Sequence, residues 1–342
     1  MASGATNQKP HGTQNAWIRP AVQIGFLVFS LLVGWQFHRF VLWLSNPVGP
    51  SPERPAGVEA WLPISSLMSL TYLLRAGQAN PVHPAGLVLF TLILTLTLLL
   101  GRGFCSWVCP IGALSEWAHR LGRRLCGRNP TLPRRLDVPL RSLKYLLLSF
   151  FLYAILGMSE KSLLAFLEGP YNRAADVKMY LFFVNVTRTA VVTLTILTVL
   201  SMLVKNFWCR YLCPYGALLA LCAWPAPLAV RRDADSCAGC GRCDQACPNR
   251  IHVSTCRRVR SLECTTCFRC VEACRVPGAL AVSWPAPRRT VNQAVYAAIL
   301  IGAFVLVSQA AQSIGYWKTS TGPALYPALY RMAPHMDHPR TP

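Results

Sequence analysis

The stretch Cys237-Ala-Gly-Cys240-Gly-Arg-Cys243-Asp-Gln-Ala-Cys247-Pro248 decides how the rest of the chain is read. Its cysteines follow C-x2-C-x2-C-x3-C-P, and Cys264, Cys267, Cys270 and Cys274 repeat the cysteine spacing 27 residues later. A tight loop with this spacing presents three thiolates to one centre and leaves a fourth to arrive from elsewhere, as a cubane [4Fe-4S] cluster requires. The second block differs in one detail, because Arg275 and Val276 separate Cys274 from Pro277.

The spacing is that of the bacterial-type ferredoxin run, in which the fourth cysteine of each block serves the other cluster. Crossed ligation assigns Cys237, Cys240, Cys243 and Cys274 to one [4Fe-4S] cluster, and Cys264, Cys267, Cys270 and Cys247 to its partner. Zinc and disulfides are the plainer alternatives. A structural zinc site takes two C-x2-C pairs across a longer, variable gap, which two tandem copies at a fixed offset do not match. Disulfides need an oxidising compartment, and the charge distribution puts this segment in the cytoplasm.

Of the 342 residues, 53% are hydrophobic and only 14% charged, where a soluble domain carries about 25% charged residues. The composition is that of an integral membrane protein with a small polar domain. The net charge of +21 does not indicate nucleic acid, because the basic residues lie between apolar runs and form no recognisable nucleic-acid module.

Five apolar runs approach the roughly 20 residues a span needs: Val22 to Leu44, Gly86 to Phe104, Leu143 to Met158 (with a start as early as Val138), Ala190 to Phe207, and Ala294 to Ala311. The first has no small-residue cleavage site at its end and is expected to stay as an anchor. Segments 1–20, 101–144 and 205–290 hold 2, 9 and 13 lysines and arginines, 24 of the 34 in the chain. The positive-inside rule therefore predicts a multi-pass protein of the bacterial cytoplasmic (inner) membrane, N-terminus in and C-terminus out, with the cysteine-rich segments on the cytoplasmic side. The expected organisation is a cytoplasmic tail at 1–20, a four-span region at 21–230, a two-cluster domain at 231–287, a fifth span at 288–312 and a periplasmic tail at 313–342.

The spans contain an internal repeat. Phe104-Cys105-Ser-Trp-Val-Cys109-Pro110-Ile-Gly-Ala-Leu114 ends the second, and Trp208-Cys209-Arg-Tyr-Leu-Cys213-Pro214-Tyr-Gly-Ala-Leu218 ends the fourth, 104 residues apart. Each proline stops a helix, and cysteines four apart on a helix share one face. Cys105, Cys109, Cys209 and Cys213 are thus expected to converge near the inner membrane face, either as ligands of an additional metal centre or as packing residues.

These motifs in this order resemble the membrane-bound polyferredoxin family, which includes NapH-like quinol dehydrogenase subunits, the C-terminal half of NosR-like proteins and CcoG-like assembly proteins. The resemblance covers about residues 20 to 310. It implies a mainly α membrane protein, a five-span helical bundle with a small α+β ferredoxin-like insertion. It also implies electron transfer between quinone or quinol and a redox partner such as a cytochrome c or a reductase subunit. The fifth apolar run matches CcoG-like chains better than NapH-like ones, and supports the alternative of an accessory factor that reduces a metal ion or thiol during metalloenzyme maturation. The tail from Gln312 to Pro342 is too short for the outer domain of CcoG-like chains, and the flavin-binding half of NosR-like chains is absent.

His38 and Arg39 in the outer half of the first span, and Glu59 and His83 in outer loops, are candidates for quinone contact and proton acceptance. Their plainer roles are snorkelling, capping and turning. Cys126, Cys222 and Cys256 fit no pattern and read as unliganded thiols; no C-x-x-C-H, P-loop or Gly-x-Gly-x-x-Gly run occurs.

Overall fold

The computed structural model describes residues 16–127, 132–285 and 289–337; most of the expected N-terminal tail and the last five residues lie outside these ranges. The protein is mostly helical. Among the described residues, three helices are long and apolar enough to cross a membrane: Ile18–Ser45, Arg135–Leu156 and Gln293–Ser313. A fourth crossing comes from Ala175–Val184 and Arg188–Leu203 if that pair, bent by 83°, is one span.

The expected second span is a helix over Pro84–Leu100. Its 17 residues rise about 25 Å, short of a hydrocarbon core of about 30 Å. Gly101 breaks it before a single turn at Phe104–Trp107. The third expected span begins earlier than its apolar run, since the helix covers Arg134–Leu156. Arg141 and Lys144 hide that start in the sequence, and the fold neutralises both: Arg141 pairs with Asp137, and Lys144 Nζ lies 2.7 Å from Glu263 Oε1.

A three-stranded antiparallel sheet closes the cysteine-rich domain. β1 (Ala229–Arg232) pairs with β2 (Leu280–Ser283), from Ala229 opposite Ser283 to Arg232 opposite Leu280; β2 in turn pairs with β3 (Thr290–Val291). Both cysteine blocks lie in the loop between β1 and β2.

One hydrophobic core runs through both regions. Trp107 from the turn after the Pro84–Leu100 helix and Tyr296 and Leu300 from the Gln293–Ser313 helix pack with Val230, Phe268 and Val282 from the cysteine-rich domain. Three rings from three separate segments meet at its centre, with Trp107–Tyr296 and Phe268–Tyr296 centroids 5.3 Å apart and Trp107–Phe268 5.8 Å apart. Ring pairs at these spacings contribute about 0.5–1.5 kcal/mol each beyond area burial. They join the two regions as a shared interior and not as a tether.

The segment after the last long helix folds back on the opposite end of the bundle. Thr319 Oγ1 donates to the Val82 carbonyl at 2.6 Å, the Ser320 amide to the Pro81 carbonyl at 2.9 Å, and Lys178 Nζ to the Met336 carbonyl at 2.6 Å. Tyr326 is buried against Phe40, with ring centroids 5.3 Å apart.

Candidate metal centres

The two cysteine blocks take the same backbone path with different residues. In the first, Gly239 and Gly241 have φ of 64° and 67°; at the equivalent places in the second, Thr266 and Phe268 have φ of 48° and 62°. Glycine adopts this left-handed conformation freely, whereas a β-branched threonine is strained there. The second block gains contacts from those side chains, because Phe268 enters the aromatic cluster and Thr266 is buried against the membrane region.

Among the described residues, two pockets in the domain are lined by four cysteines each. One is lined by Cys237, Cys240, Cys243 and Cys274, together with Arg232 and Ser254. The other is lined by Cys247, Cys264, Cys267 and Cys270, together with Asn249 and Val253. The fourth cysteine of each block therefore faces the pocket built by the other block.

The pockets differ in setting. Cys240 is exposed, and the Gly239 amide and the Arg232 side chain hold the Cys237 thiol below its ordinary value. Burial pushes the Cys264 thiol up to about 12. Four thiolates in a dry pocket repel one another and resist desolvation, and iron removes both penalties. Eight cysteines shared between two pockets fit a pair of clusters on that ground.

The second pocket abuts the membrane helices. Trp107 Nε1 donates to the Thr266 carbonyl at 3.1 Å, Ser106 Oγ to the Thr265 carbonyl at 2.7 Å, and Arg102 Nη1 to the Leu262 carbonyl at 3.0 Å. Glu116 adds a charged clamp, accepting from Arg19 of the first helix, from Arg269 of the cysteine-rich domain and from Arg120 at 2.5 Å. Burial raises the Glu116 pKa, but the Arg19, Arg269 and Arg120 charges outweigh it and hold the carboxyl below its ordinary range.

The C-x3-C-P segments do not present their cysteines on one continuous helix. Cys105 lies in the Phe104–Trp107 turn and Cys209 in a π-helical turn at Trp208–Leu212, while Cys109 and Cys213 are extended residues capping the next helices. A residue before proline is pushed out of the helical region, which breaks the continuous face. The two repeats do meet, since Arg102 Nη1 beside the first motif donates to the Gly216 carbonyl of the second at 3.3 Å. Among the described residues, no group of three or more His, Cys, Asp or Glu side chains is arranged to hold a metal ion.

Of the four quinone candidates, the fold brings together only Glu59 and His83. Both are buried, with His83 Nδ1 3.4 Å from Glu59 Oε1. Glu59 also accepts from Arg54 Nη1 at 2.9 Å and from the Gly86 amide at 2.9 Å, and Arg54 Nε reaches Asp176 Oδ2 at 2.6 Å. His38 instead lies 2.5 Å from the Tyr180 hydroxyl, and Arg39 stacks on Trp35. Arg54 and Asp176 were not singled out from the sequence; the available signal was the scarcity of carboxylates, 13 in the chain.

An apolar cavity of about 740 Å³ opens between the Ile18–Ser45, Pro84–Leu100 and Gln293–Ser313 helices. Phe104 and Val108 line one part of it, and Gly57, Trp61, Gln309 and Trp317 another.

Comparison with known proteins places the chain. A family described as a 4Fe-4S binding domain matches residues 82–129 and again 189–232, one match for each half of the repeat, and a 4Fe-4S dicluster domain matches 229–275. YccM of Escherichia coli (strain K12) is 38% identical over 328 residues, covering 94% of this chain and 91% of that protein. The ferredoxin-type protein NapH of the same organism is 27% identical over 218 residues, covering 61% of this chain and 70% of its own length. The regulatory protein NosR of Pseudomonas aeruginosa is 31% identical over 195 residues, covering 55% of this chain and 26% of its own. No solved structure matches. The cysteine loops, the apolar helices and these relatives agree on an iron-sulfur electron-transfer protein of the membrane, and the chain belongs to the ferredoxin-type polyferredoxin family.

Proposed function

We propose that the protein carries electrons between the membrane quinone pool and a partner redox enzyme through two [4Fe-4S] clusters. Cys237, Cys240, Cys243 and Cys274 hold one cluster, and Cys247, Cys264, Cys267 and Cys270 hold the other. The observation that carries this reading is the crossed lining of the two pockets. Bound there, each cluster takes up and releases one electron at a time.

The chain's own residues set the order of the path. The Cys264 loop is hydrogen-bonded to the membrane segment by Trp107 and Arg102, so its cluster is the membrane-proximal one. Cys240 is exposed, so the other cluster faces the soluble partner. The apolar cavity has the size and lining of a site for a hydrophobic ligand, and quinol enters there. The Glu59–His83 pair is the proton acceptor closest in character to what quinol oxidation needs, and residues 57, 60 and 61 beside Glu59 form part of the cavity wall. The cysteine-rich domain is cytoplasmic, the Pro84–Leu100 helix completes a fifth crossing and the C-terminal tail is periplasmic, in line with the lysine and arginine distribution.

The test is anaerobic purification followed by titration with a short-chain quinol, with cluster reduction followed by electron paramagnetic resonance. The expected result is quinol-dependent reduction of two cluster signals. Reduction by dithionite but never by quinol removes the quinone pool as donor.

A further inference from the structure

A further pocket lies where the membrane helices meet the cysteine-rich domain. Gly101 and Arg102, which follow the Pro84–Leu100 helix, line it together with Trp224 at the end of the Pro214–Ala223 helix. The cysteine-rich domain contributes Arg258, Arg260 and Thr266. Three arginines and no carboxylate therefore surround one space.

Their charge is not cancelled from nearby. Glu263 is the carboxylate whose charge bears on Arg102, and it is committed to Lys144 Nζ at 2.7 Å. Burial and then the Arg231 and Arg260 charges hold the Arg258 guanidinium below its ordinary value, with no carboxylate set against them. Like charges kept this close call for an anion between them.

The donors are fixed in place and incompletely used. Arg102 is only 4% exposed, and its Nη1 donates to the Gly216 and Leu262 carbonyls at 3.3 and 3.0 Å. Arg258 Nη2 donates to the Ala226 carbonyl at 2.6 Å. The Nε of each of these arginines is buried and, among the described residues, has no acceptor. A buried donor left unpaired is costly, and a charged one more so.

Size and position narrow the occupant. The space is about 30 Å³, and a single water takes about 10–15 Å³, so a compact tetrahedral anion enters and a nucleotide does not. Gly101 keeps the space open: its φ is 77°, and a Cβ there would stand 2.7 Å from Thr266 Oγ1. Trp224 and Leu221 beside the pocket are exposed, and tryptophan at the end of an apolar helix sits at the level of lipid headgroups. Basic pockets between membrane helices take anionic headgroups.

We propose that this pocket binds a phosphate group, supplied by the headgroup of an anionic phospholipid. Arg102 and Arg258 donate to it from their Nε atoms, and the exposed Arg260 adds charge from the side open to solvent. The lipid thereby joins the Trp107–Thr266 bond and the Glu116 clamp in seating the cysteine-rich domain on the membrane helices. The site requires neither quinone nor a bound cluster.

The test uses full-length protein purified anaerobically and stripped of lipid in a non-ionic detergent. Phosphatidylglycerol, phosphatidylcholine and inorganic phosphate are titrated separately, with the thermal midpoint read by tryptophan emission and bound lipid by native mass spectrometry. Phosphatidylglycerol is expected to raise the midpoint and to stay bound, and phosphatidylcholine to do neither. Arg260→Gln changes an exposed side chain, so the fold survives, and it should raise the phosphatidylglycerol concentration for half the effect about tenfold. Arg124→Gln, equally exposed and outside the pocket, should leave that concentration unchanged. A response to inorganic phosphate in place of the lipid supports the anion site and makes its source soluble. No response to either anion, an equal response to phosphatidylcholine, or a response that Arg260→Gln leaves intact overturns the proposal.

Discussion

The indole Nε1 of Trp107 donates to the carbonyl of Thr266 across 3.1 Å, with both residues buried. One belongs to the membrane repeat and the other to a strained position of the second cysteine block, so this bond fixes how the cysteine-rich domain sits on the membrane region. Trp107→Phe keeps an aromatic ring and leaves the carbonyl unpaired, at a cost of roughly 1–3 kcal/mol. The expected outcome is normal iron content with a lower midpoint for thermal loss of cluster absorbance.

Glu116 joins three arginines from three segments. Removing one partner of a buried ion pair costs roughly 3 to 5 kcal/mol, so Glu116→Gln should make the cysteine-rich domain more susceptible to limited proteolysis. The pH dependence has a defined sign. The folded carboxyl titrates below its ordinary value, so its contribution is complete above about pH 4.3 and is lost as the pH falls through the lower, folded pKa. Tryptophan emission should report undocking in that acid window, and the glutamine variant should show a weaker pH dependence there.

Gly25 lines the apolar cavity, and a Cβ built on it meets nothing within 4 Å. The Cβ of Gly25→Trp therefore enters open space, and the indole is expected to obstruct the cavity. Quinol-driven cluster reduction should slow at least tenfold, equivalent to about 1.4 kcal/mol, while reduction by dithionite stays normal. An unchanged quinol rate would place the quinone elsewhere.

Orientation is checked by fusing a reporter that is active only in the periplasm. Fusions after Gln78 and Pro342 are expected to be active, and one after Pro248 silent. Activity at Pro248 would invert the proposed topology.

The parts of this protein that were legible in the sequence are those where chemistry demands a fixed spacing. The cysteine blocks announced a pair of metal-binding loops, and the two C-x3-C-P segments announced a repeat. Helix limits were harder to read, because Arg141 and Lys144 look like the boundary of an apolar run until Asp137, one turn away on the same helix, and Glu263, from the distant cysteine-rich domain, neutralise them. The extended conformation of Cys109 and Cys213 was implicit in the prolines that follow them, but the expectation of a single helical face passed over it. Arg54 and Asp176 gave no local signal, since their partnership spans 122 positions of sequence.

The pairing of Arg232 with Leu280 means that the chain leaves the membrane region and returns to it at nearly the same point, with backbones about 5 Å apart. Everything between is a closed excursion, a cassette whose two ends already touch. Replacing residues 233–279 with a short turn would leave the β1–β2 hairpin geometrically intact, and a cassette from another dicluster protein could be spliced onto the same two strands. Such a boundary confines the covalent join to two short strands, while an exchanged module would still have to reproduce the Phe268 and Thr266 contacts that the membrane region packs against.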